Sequence, residues 1–124
     1  MTRNGVRPRV LVIDDDPSLL RVTRLTLVSD GIDVVTAADG AAGLLALETN
    51  RIDAVVLDLH MPKMDGRAFY RECRARGYEV PVMILSAYDA EAARAELQAQ
   101  AAMTKPFRID ELVDGVLELV DRRD

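Results

Sequence analysis

The stretch VLVIDDDP at residues 10–17 is the clearest structural signal in this chain. Its first four residues form an uninterrupted apolar and mostly β-branched run, which is typical of a strand buried on both faces of a parallel sheet. Asp16 and Pro17 are the residue types preferred at the N-cap and at the first position of a helix. The stretch therefore predicts a buried strand that leads through acidic residues into a helix.

The same pattern of a strand followed by a helix recurs four more times. Further strands are predicted at Val34–Val35, Ala54–Leu57, Val82–Leu85 and Ala101–Thr104, the last with weak support because alanine has low strand propensity. Further helices are predicted after Gly40, after a loop with Pro62 and Gly66 and as far as about Arg76, over roughly residues 90–99, and through Leu112, Val116, Leu119 and Val120. Five alternating pairs predict an α/β fold with a doubly wound five-stranded parallel sheet, (βα)5, in the flavodoxin-like strand order 2-1-3-4-5.

Length and composition restrict the classes of protein to consider. The 124 residues fit one domain over residues 9–124, behind a short solvated tail at residues 1–8. A net charge of −5 argues against direct nucleic-acid binding. The single cysteine, Cys73, excludes an internal disulfide, and no apolar stretch is long enough to span a membrane. We expect a cytoplasmic protein with no membrane association.

Polar residues follow the predicted strands at their carboxyl ends. Asp14 and Asp15 follow the first strand, Asp58 the third, Ser86 the fourth and Lys105 the fifth. In an open parallel sheet this edge binds ligands at the point where the strand order reverses, which in the predicted order lies between the first and third strands. We therefore expect the three aspartates to converge.

Three converging carboxylates repel one another, and one lysine does not neutralise them. Either some of them stay protonated or a cation lies between them, and we favour a divalent cation. Carboxylate, carbonyl and water oxygens suit Mg²⁺, whereas no cluster of Cys or His is present to favour zinc. With Mg²⁺, an ammonium and a hydroxyl around a carboxylate, the site is equipped for phosphoryl transfer, with Asp58 as the nucleophile and Lys105 and Ser86 contacting the phosphoryl oxygens.

These residues resemble the receiver domains of two-component response regulators. The resemblance rests on four motifs, which occur in the right order across nearly the whole chain: VIDDD at residues 12–16, LDLHMPKMDG at 57–66, LSA at 85–87 and TKPF at 104–107. It implies that a histidine kinase or histidine phosphotransfer protein donates a phosphoryl group to Asp58, and that the phosphorylated form alters its binding to a downstream protein target.

The resemblance also implies individual roles. Asp15 and Asp58 would ligate Mg²⁺ directly together with the backbone carbonyl of His60, and Asp14 would act through water. Lys105 and Ser86 would contact the phosphate. The family usually has a cis peptide between this lysine and the following proline, here Pro106.

Two positions depart from the family pattern. The family commonly carries a tyrosine or phenylalanine three residues before the lysine, and this ring moves inward when the serine or threonine hydroxyl moves toward the phosphate. Here the position is Ala102, so a signal must travel by backbone shifts or through another residue such as Tyr88. The family also tends to have a glycine between the fourth helix and the fifth strand, where this chain has Gln98.

Two alternative functions remain open. The first is a scaffold with the fold of a receiver that is never phosphorylated, which Ala102 favours and the complete set of site residues disfavours. The second is a hydrolase with an aspartyl-phosphate intermediate, but such enzymes usually carry a second acid two residues after the nucleophile, where this chain has His60.

The fourth helix is predicted to be weakly anchored. Leu97 is the only large apolar residue from Ala90 to Ala101, so helix propensity is high while packing is thin. We expect this helix to move, or to bind a partner, more easily than the other helices.

Overall fold

The computed structural model describes residues 7–61 and 64–121 of the chain. The described elements alternate as predicted: β1 (Arg9–Ile13), α1 (Pro17–Ser29), β2 (Asp33–Ala37), α2 (Gly40–Thr49), β3 (Ala54–Asp58), α3 (Gly66–Ala75), β4 (Val82–Ser86), α4 (Ala90–Leu97), β5 (Ala101–Thr104) and α5 (Ile109–Asp121). The weakly supported fifth strand is present at the predicted residues.

The five strands form one parallel sheet in the order β2-β1-β3-β4-β5, so the predicted fold class and strand order are confirmed. Ile13 lies opposite Leu57, and Ser86 lies opposite Thr104. This register brings the carboxyl ends of the strands to one edge of the sheet, where the polar residues that follow them meet.

The core lies on both faces of the sheet. Residues such as Ile13, Leu57 and Phe69 pack on the side covered by α2, α3 and α4, while Val12 and Leu112 pack on the side covered by α1 and α5. Because both faces are covered, the central strands are buried at every residue from Val10 to Ile13 and throughout β3 and β4. Their uninterrupted apolar runs follow from this burial.

Aspartate side chains cap four of the helices. Asp16 accepts a hydrogen bond from the main-chain N–H of Ser18 at 2.9 Å, and Asp39, Asp65 and Asp89 cap α2, α3 and α4 in the same way. The capping role predicted for Asp16 is therefore confirmed.

Some predicted boundaries differ from the structure. The fourth helix ends at Leu97 rather than near residue 99, because Gln98 adopts a left-handed conformation with φ of 60°. Pro8 is buried, so the solvated tail predicted at residues 1–8 does not include it, while residues 1–6 lie outside the described residues. The motif residues Pro62 and Lys63 also lie outside them. No helix in the described part of the chain combines the length and apolar character needed to cross a bilayer.

Candidate functional site

Three aspartates meet at the carboxyl edge of the sheet, as the sequence predicts. Asp14, Asp15 and Asp58 each place a carboxylate oxygen within 4.8 Å of the others. Asp14 has an exposed fraction of 0% and Asp58 of 2%, whereas Asp15 is exposed. Two of the three carboxylates are thus withdrawn from water, and the third lies at the mouth of the site.

The main chain holds the two buried carboxylates in place. The N–H of Asp14 donates to the carbonyl of Ala37 at 3.1 Å, and Oδ1 of Asp14 accepts from the N–H of Asp16 at 2.9 Å. Asp58 is the last residue of β3, and its Oδ1 accepts from the N–H of His60 at 3.2 Å. Each carboxylate therefore has a fixed orientation at the end of its strand.

Gly66 allows the start of α3 to approach the end of β3. A Cβ atom at residue 66 would lie 2.5 Å from the carbonyl oxygen of Asp58 and 2.6 Å from the Cα of Leu59. The N–H of Gly66 also donates to the carbonyl of Leu59 at 3.1 Å. Gly66 was predicted only as part of the loop before a helix, so this close contact with the backbone of Asp58 was missed.

Lys105 supplies a positive charge from the other side of the site. Its Nζ lies 3.1 Å from Oδ2 of Asp14 and 3.5 Å from Oδ1 of Asp58. The N–H of Lys105 donates to the carbonyl of Ser86 at 2.8 Å, which ties its backbone to the end of β4. The peptide bond between Lys105 and Pro106 is cis, as the resemblance implied.

The charges of the site are not balanced. Burial and the neighbouring charge of Asp14 raise the pKa of Asp58, against the opposing effects of the His60 N–H and of Lys105. Burial acts to lower the pKa of Lys105, but the hydrogen bond and charge of Asp14, together with Asp58, outweigh burial and raise it. Three carboxylates and one ammonium leave an excess of negative charge, which a cation would relieve.

The donor atoms at this edge suit a hard divalent cation. The three converging groups are carboxylates, and this is the one cluster of potential metal ligands found among residues 7–61 and 64–121. Oxygen donors of this kind match Mg²⁺, whereas structural zinc sites use cysteine and histidine. The residues present therefore fit the magnesium ion that the sequence predicts.

Ser86 lies beside the cluster but is bonded elsewhere. It is 1% exposed, and its Oγ donates to the carbonyl of Tyr88 at 2.7 Å and accepts from the N–H of Tyr88 at 3.1 Å. Nε2 of His60 lies 3.2 Å from the same Oγ, and the His60 ring meets the Tyr88 ring edge-on, with centroids 5.7 Å apart.

The contacts of the His60 side chain were not predicted, since only a role for its backbone carbonyl was expected from the sequence. A signal for them was present in the strand order. Because β3 and β4 are neighbours, a side chain two residues after Asp58 is within reach of Ser86 at the end of β4. By contrast, Ala102 lies in β5 among partly buried residues packed on the core and takes no part in the site.

Comparison with known proteins gives a consistent result. A family model described as the response regulator receiver domain matches residues 10–117. The transcriptional regulatory protein PrrA of Mycobacterium tuberculosis is 43% identical over 119 residues, which cover 94% of this chain and 51% of PrrA. The chain thus spans about half the length of the curated relatives it matches.

Solved structures are similar over almost the whole chain. The receiver domain of the Francisella response regulator 1452 has a TM-score of 0.87 at 36% identity, covering 95% of this chain and 100% of that one. The response regulator TrrA of Thermotoga maritima, solved in complex with Mg²⁺ and BeF, has a TM-score of 0.80 at 28% identity, covering 90% of this chain and 98% of that one.

Proposed function

Because the chain belongs to the family of response regulator receiver domains, we propose that it accepts a phosphoryl group on Asp58 within a two-component system. The observation that carries this proposal is the buried Asp58 carboxylate with two further aspartates and Lys105 around it. The Lys105 ammonium, together with a cation bound by the aspartates, would offset the charge of a transferred phosphoryl group during the reaction.

In the proposed reaction, a carboxylate oxygen of Asp58 attacks the phosphorus atom of a phosphohistidine. A new P–O bond forms while the P–N bond breaks, and the released imidazole of the donor takes up a proton. The product is an acyl phosphate on Asp58. The donor would be a histidine kinase or a histidine phosphotransfer protein, as in the family to which the chain belongs.

Lys105 and Ser86 are proposed to hold the phosphoryl oxygens. The Lys105 ammonium already lies 3.5 Å from Oδ1 of Asp58, so it is placed to pair with an oxygen of the transferred group. Ser86 would donate its hydroxyl hydrogen to another oxygen, after giving up its bond to the carbonyl of Tyr88.

We also propose a magnesium ion at this edge, held by Asp15, Asp58 and the backbone carbonyl of His60, with Asp14 acting through water. The excess negative charge and the oxygen donors support this assignment. TrrA, which was solved with Mg²⁺ and BeF, provides a second line of support from a relative. When bound, the ion supplies positive charge that offsets the carboxylates and the phosphoryl oxygens.

The proposed donor and target are proteins. A shallow groove next to Lys105, lined by Asp16, Leu19, Ala87, Pro106 and Phe107, gives a donor protein an apolar surface beside the nucleophile. The net charge of −5 disfavours direct contact with nucleic acid, so we propose that the phosphorylated state acts through altered protein binding. Because histidine kinases draw on ATP, we place this function in the cytoplasm.

The proposal is tested by incubating the protein with Mg²⁺ and acetyl phosphate and measuring its intact mass. We expect one added phosphoryl group, which Asp58→Asn abolishes and hydroxylamine removes, because hydroxylamine cleaves an acyl phosphate but not a phosphate ester on Ser86. The matched control is Asp53→Asn, which changes a buried aspartate just before the same strand and should still gain the group.

The alternatives give different results in the same assay. A scaffold with no phosphorylation gains no mass in the presence of Mg²⁺, and that outcome would contradict the proposal. A hydrolase would release phosphate from phosphate esters over many turnovers. An adduct that persists in Asp58→Asn would show that another residue is the acceptor.

A further inference from the structure

Three arginines form a stripe along the outer side of α3. Arg67, Arg71 and Arg74 occupy positions i, i+4 and i+7 of the helix, so they lie on one face at intervals of about one turn, or roughly 5.4 Å. We call these three residues the arginine stripe. Two of them, Arg71 and Arg74, line an open groove of about 490 Å³ together with Glu96 and Leu97 of α4.

One carboxylate serves two of the three guanidinium groups. Nη2 of Arg67 lies 3.2 Å from Oε1 of Glu96, and Nη2 of Arg71 lies 3.6 Å from Oε2 of the same residue. Arg74 donates to the carbonyl of Tyr78 at 3.0 Å, and within the described part of the chain it pairs with no carboxylate. The arginine stripe and its groove therefore carry three positive groups against one negative group.

The neighbouring arginines have carboxylate partners of their own. Arg76, at the end of α3, pairs with Glu48 and Glu72, and Arg94 of α4 pairs with Glu91. The chain as a whole has a net charge of −5. The excess of positive charge is therefore a local property of the arginine stripe and does not follow from the composition of the chain.

The arginine stripe is accessible to a partner. The side chain of Arg71 is 64% exposed, and its 3.6 Å contact is too long for a hydrogen bond, so its N–H donors can bind another group. The guanidinium of Arg74 lies over the ring of Tyr70, with its central carbon 4.6 Å from the ring centroid. The hydroxyl of Tyr70 in turn donates to the carbonyl of Gln98 at 3.2 Å, which fixes the ring beneath Arg74.

The spacing of the stripe favours an acidic helix as its partner. Carboxylates placed one turn apart on a helix repeat at the same interval as the three arginines, so each carboxylate can pair with one guanidinium. Leu97, the apolar residue in the groove, is only 8% exposed, so charge rather than apolar area would determine which partner binds. A second copy of the chain is a poorer partner, because two molecules that each carry a net charge of −5 repel one another.

We propose that the arginine stripe and the groove beside it bind an acidic helix of a partner protein. The site lies on the face of the sheet covered by α2, α3 and α4, opposite the face covered by α1 and α5. Because the pairing groups are exposed charges, the complex is transient and weakens as salt is added. It needs no phosphoryl group on Asp58, so the inference goes beyond the proposed function and is tested on the unphosphorylated protein.

The test measures the fluorescence anisotropy of labelled, alanine-based helical peptides mixed with the protein at low ionic strength. One peptide carries glutamates at positions i, i+4 and i+7, and a second carries the same number of glutamates on different sides of the helix. We expect the first peptide to bind more tightly than the second by about threefold or more, because only the first can pair with the whole stripe.

Two changes at the site should act in opposite directions. Glu96→Gln releases two guanidinium groups and should tighten binding of the first peptide by about threefold, whereas Asp114→Asn, an equal change of charge in α5, should leave it unchanged. The double variant Arg67→Gln/Arg71→Gln should weaken binding by about threefold or more. Its matched control, Arg21→Gln/Arg24→Gln, removes two exposed arginines of α1 and should bind as the wild type does.

Several results would overturn the proposal. These are an absence of peptide binding, equal binding of the two peptides, no gain in Glu96→Gln, and equal losses in the two double variants. Duplex DNA that binds more tightly than the first peptide, and that depends on Arg67 and Arg71, would assign the stripe to a phosphate backbone instead. Self-association of the wild type that Arg67→Gln/Arg71→Gln abolishes would assign it to a second copy of the chain.

Discussion

Two buried aspartates lie at the two ends of strand β3, and they differ in whether the charges around them balance. Asp53 precedes the strand at the amino edge of the sheet, where it accepts the N–H of Arg9 at 2.8 Å and pairs with the guanidinium of Arg51. Asp58 ends the strand at the carboxyl edge, where it shares Lys105 with Asp14. The carboxylate of Asp53 therefore has an arginine partner, whereas the carboxylate of Asp58 shares the Lys105 ammonium with Asp14.

The difference shows that burial of a carboxylate does not by itself identify a functional site. Asp53 is 7% exposed and Asp58 is 2% exposed, so the two are almost equally buried. Removing one partner of a balanced buried pair leaves the other partner uncompensated and destabilises the fold, whereas an unbalanced cluster itself costs stability that a ligand can recover.

The largest effect is expected at the glycines bordering α3. Gly66→Ala should cost about 3 kcal/mol in the free energy of unfolding, because its Cβ would lie 2.5 Å from the carbonyl oxygen of Asp58 and the backbone must shift. Gly77→Ala, at the other end of the helix, should cost only about 1 kcal/mol, since φ is 88° but the space around it is open. Urea unfolding followed by circular dichroism measures both, and equal losses would argue against a tight contact at the carboxyl edge.

Removal of the balanced carboxylate should also be destabilising. Asp53→Ala leaves the N–H of Arg9 without its acceptor and should lower the free energy of unfolding by about 2 kcal/mol. Asp33→Ala is the matched control, because its ion pairs with Arg7 and Arg9 are solvent-exposed and should contribute less than about 0.5 kcal/mol. Similar losses in the two variants would show that the Asp53 contacts are no stronger than surface pairs.

Removing the charge of Asp58, the unbalanced carboxylate, should raise the free energy of unfolding rather than lower it. With divalent ions removed by a chelator, Asp58→Asn should raise the free energy of unfolding at neutral pH by about 1 kcal/mol. The physical reason is that burial and the charge of Asp14 raise the pKa of Asp58 in the folded protein above its ordinary value of 3.8, so the ionised form destabilises the fold.

The same shift predicts how this gain depends on pH. The advantage of Asp58→Asn over the wild type should be full above the raised pKa, shrink as the pH falls through it, and vanish below 3.8, where the carboxyl is protonated in both folded and unfolded chains. Urea unfolding at a series of pH values tests this. An advantage that grows toward acid would contradict the assigned direction.

A gain no larger than that of Asp58→Asn is expected at a buried polar group that carries no charge. The Oγ1 of Thr23 in α1 is buried without a hydrogen-bond partner in the described structure. Thr23→Val keeps the shape and removes the unsatisfied hydroxyl, so thermal unfolding should show a gain of about 1 kcal/mol, with no change in the response to Mg²⁺. If Thr23→Val changed how strongly Mg²⁺ stabilises the protein, the effect of Mg²⁺ would not be confined to the carboxyl edge of the sheet.

Most of the fold could be predicted from the sequence because its signals are local. The apolar run before Asp14 and the capping aspartates each report on a few adjacent residues. The order of the elements then restricts the topology, since parallel strands joined by helices follow a few known arrangements. The end of α4 was misplaced, because nothing in the residue type of Gln98 indicates a left-handed conformation.

The site could be predicted as a set of residues but not as a network. The strand order places Asp14, Asp58 and Lys105 at one edge, and the structure brings them together. The bonds of Ser86 to Tyr88 and His60 depend on side-chain rotamers and loop shape, which periodicity and composition do not encode. The close approach of Gly66 was missed for the same reason.

The most direct test of the central claim is the effect of Mg²⁺ on unfolding, measured at constant ionic strength for the wild type, Asp15→Asn and Asp53→Asn. If the carboxyl edge binds the ion, the free energy of unfolding of the wild type and of Asp53→Asn should rise by about 1.4 kcal/mol for each tenfold increase in Mg²⁺ above the dissociation constant. Asp15→Asn should respond only at much higher concentrations. An equal response in all three proteins, or none in the wild type, would contradict the account.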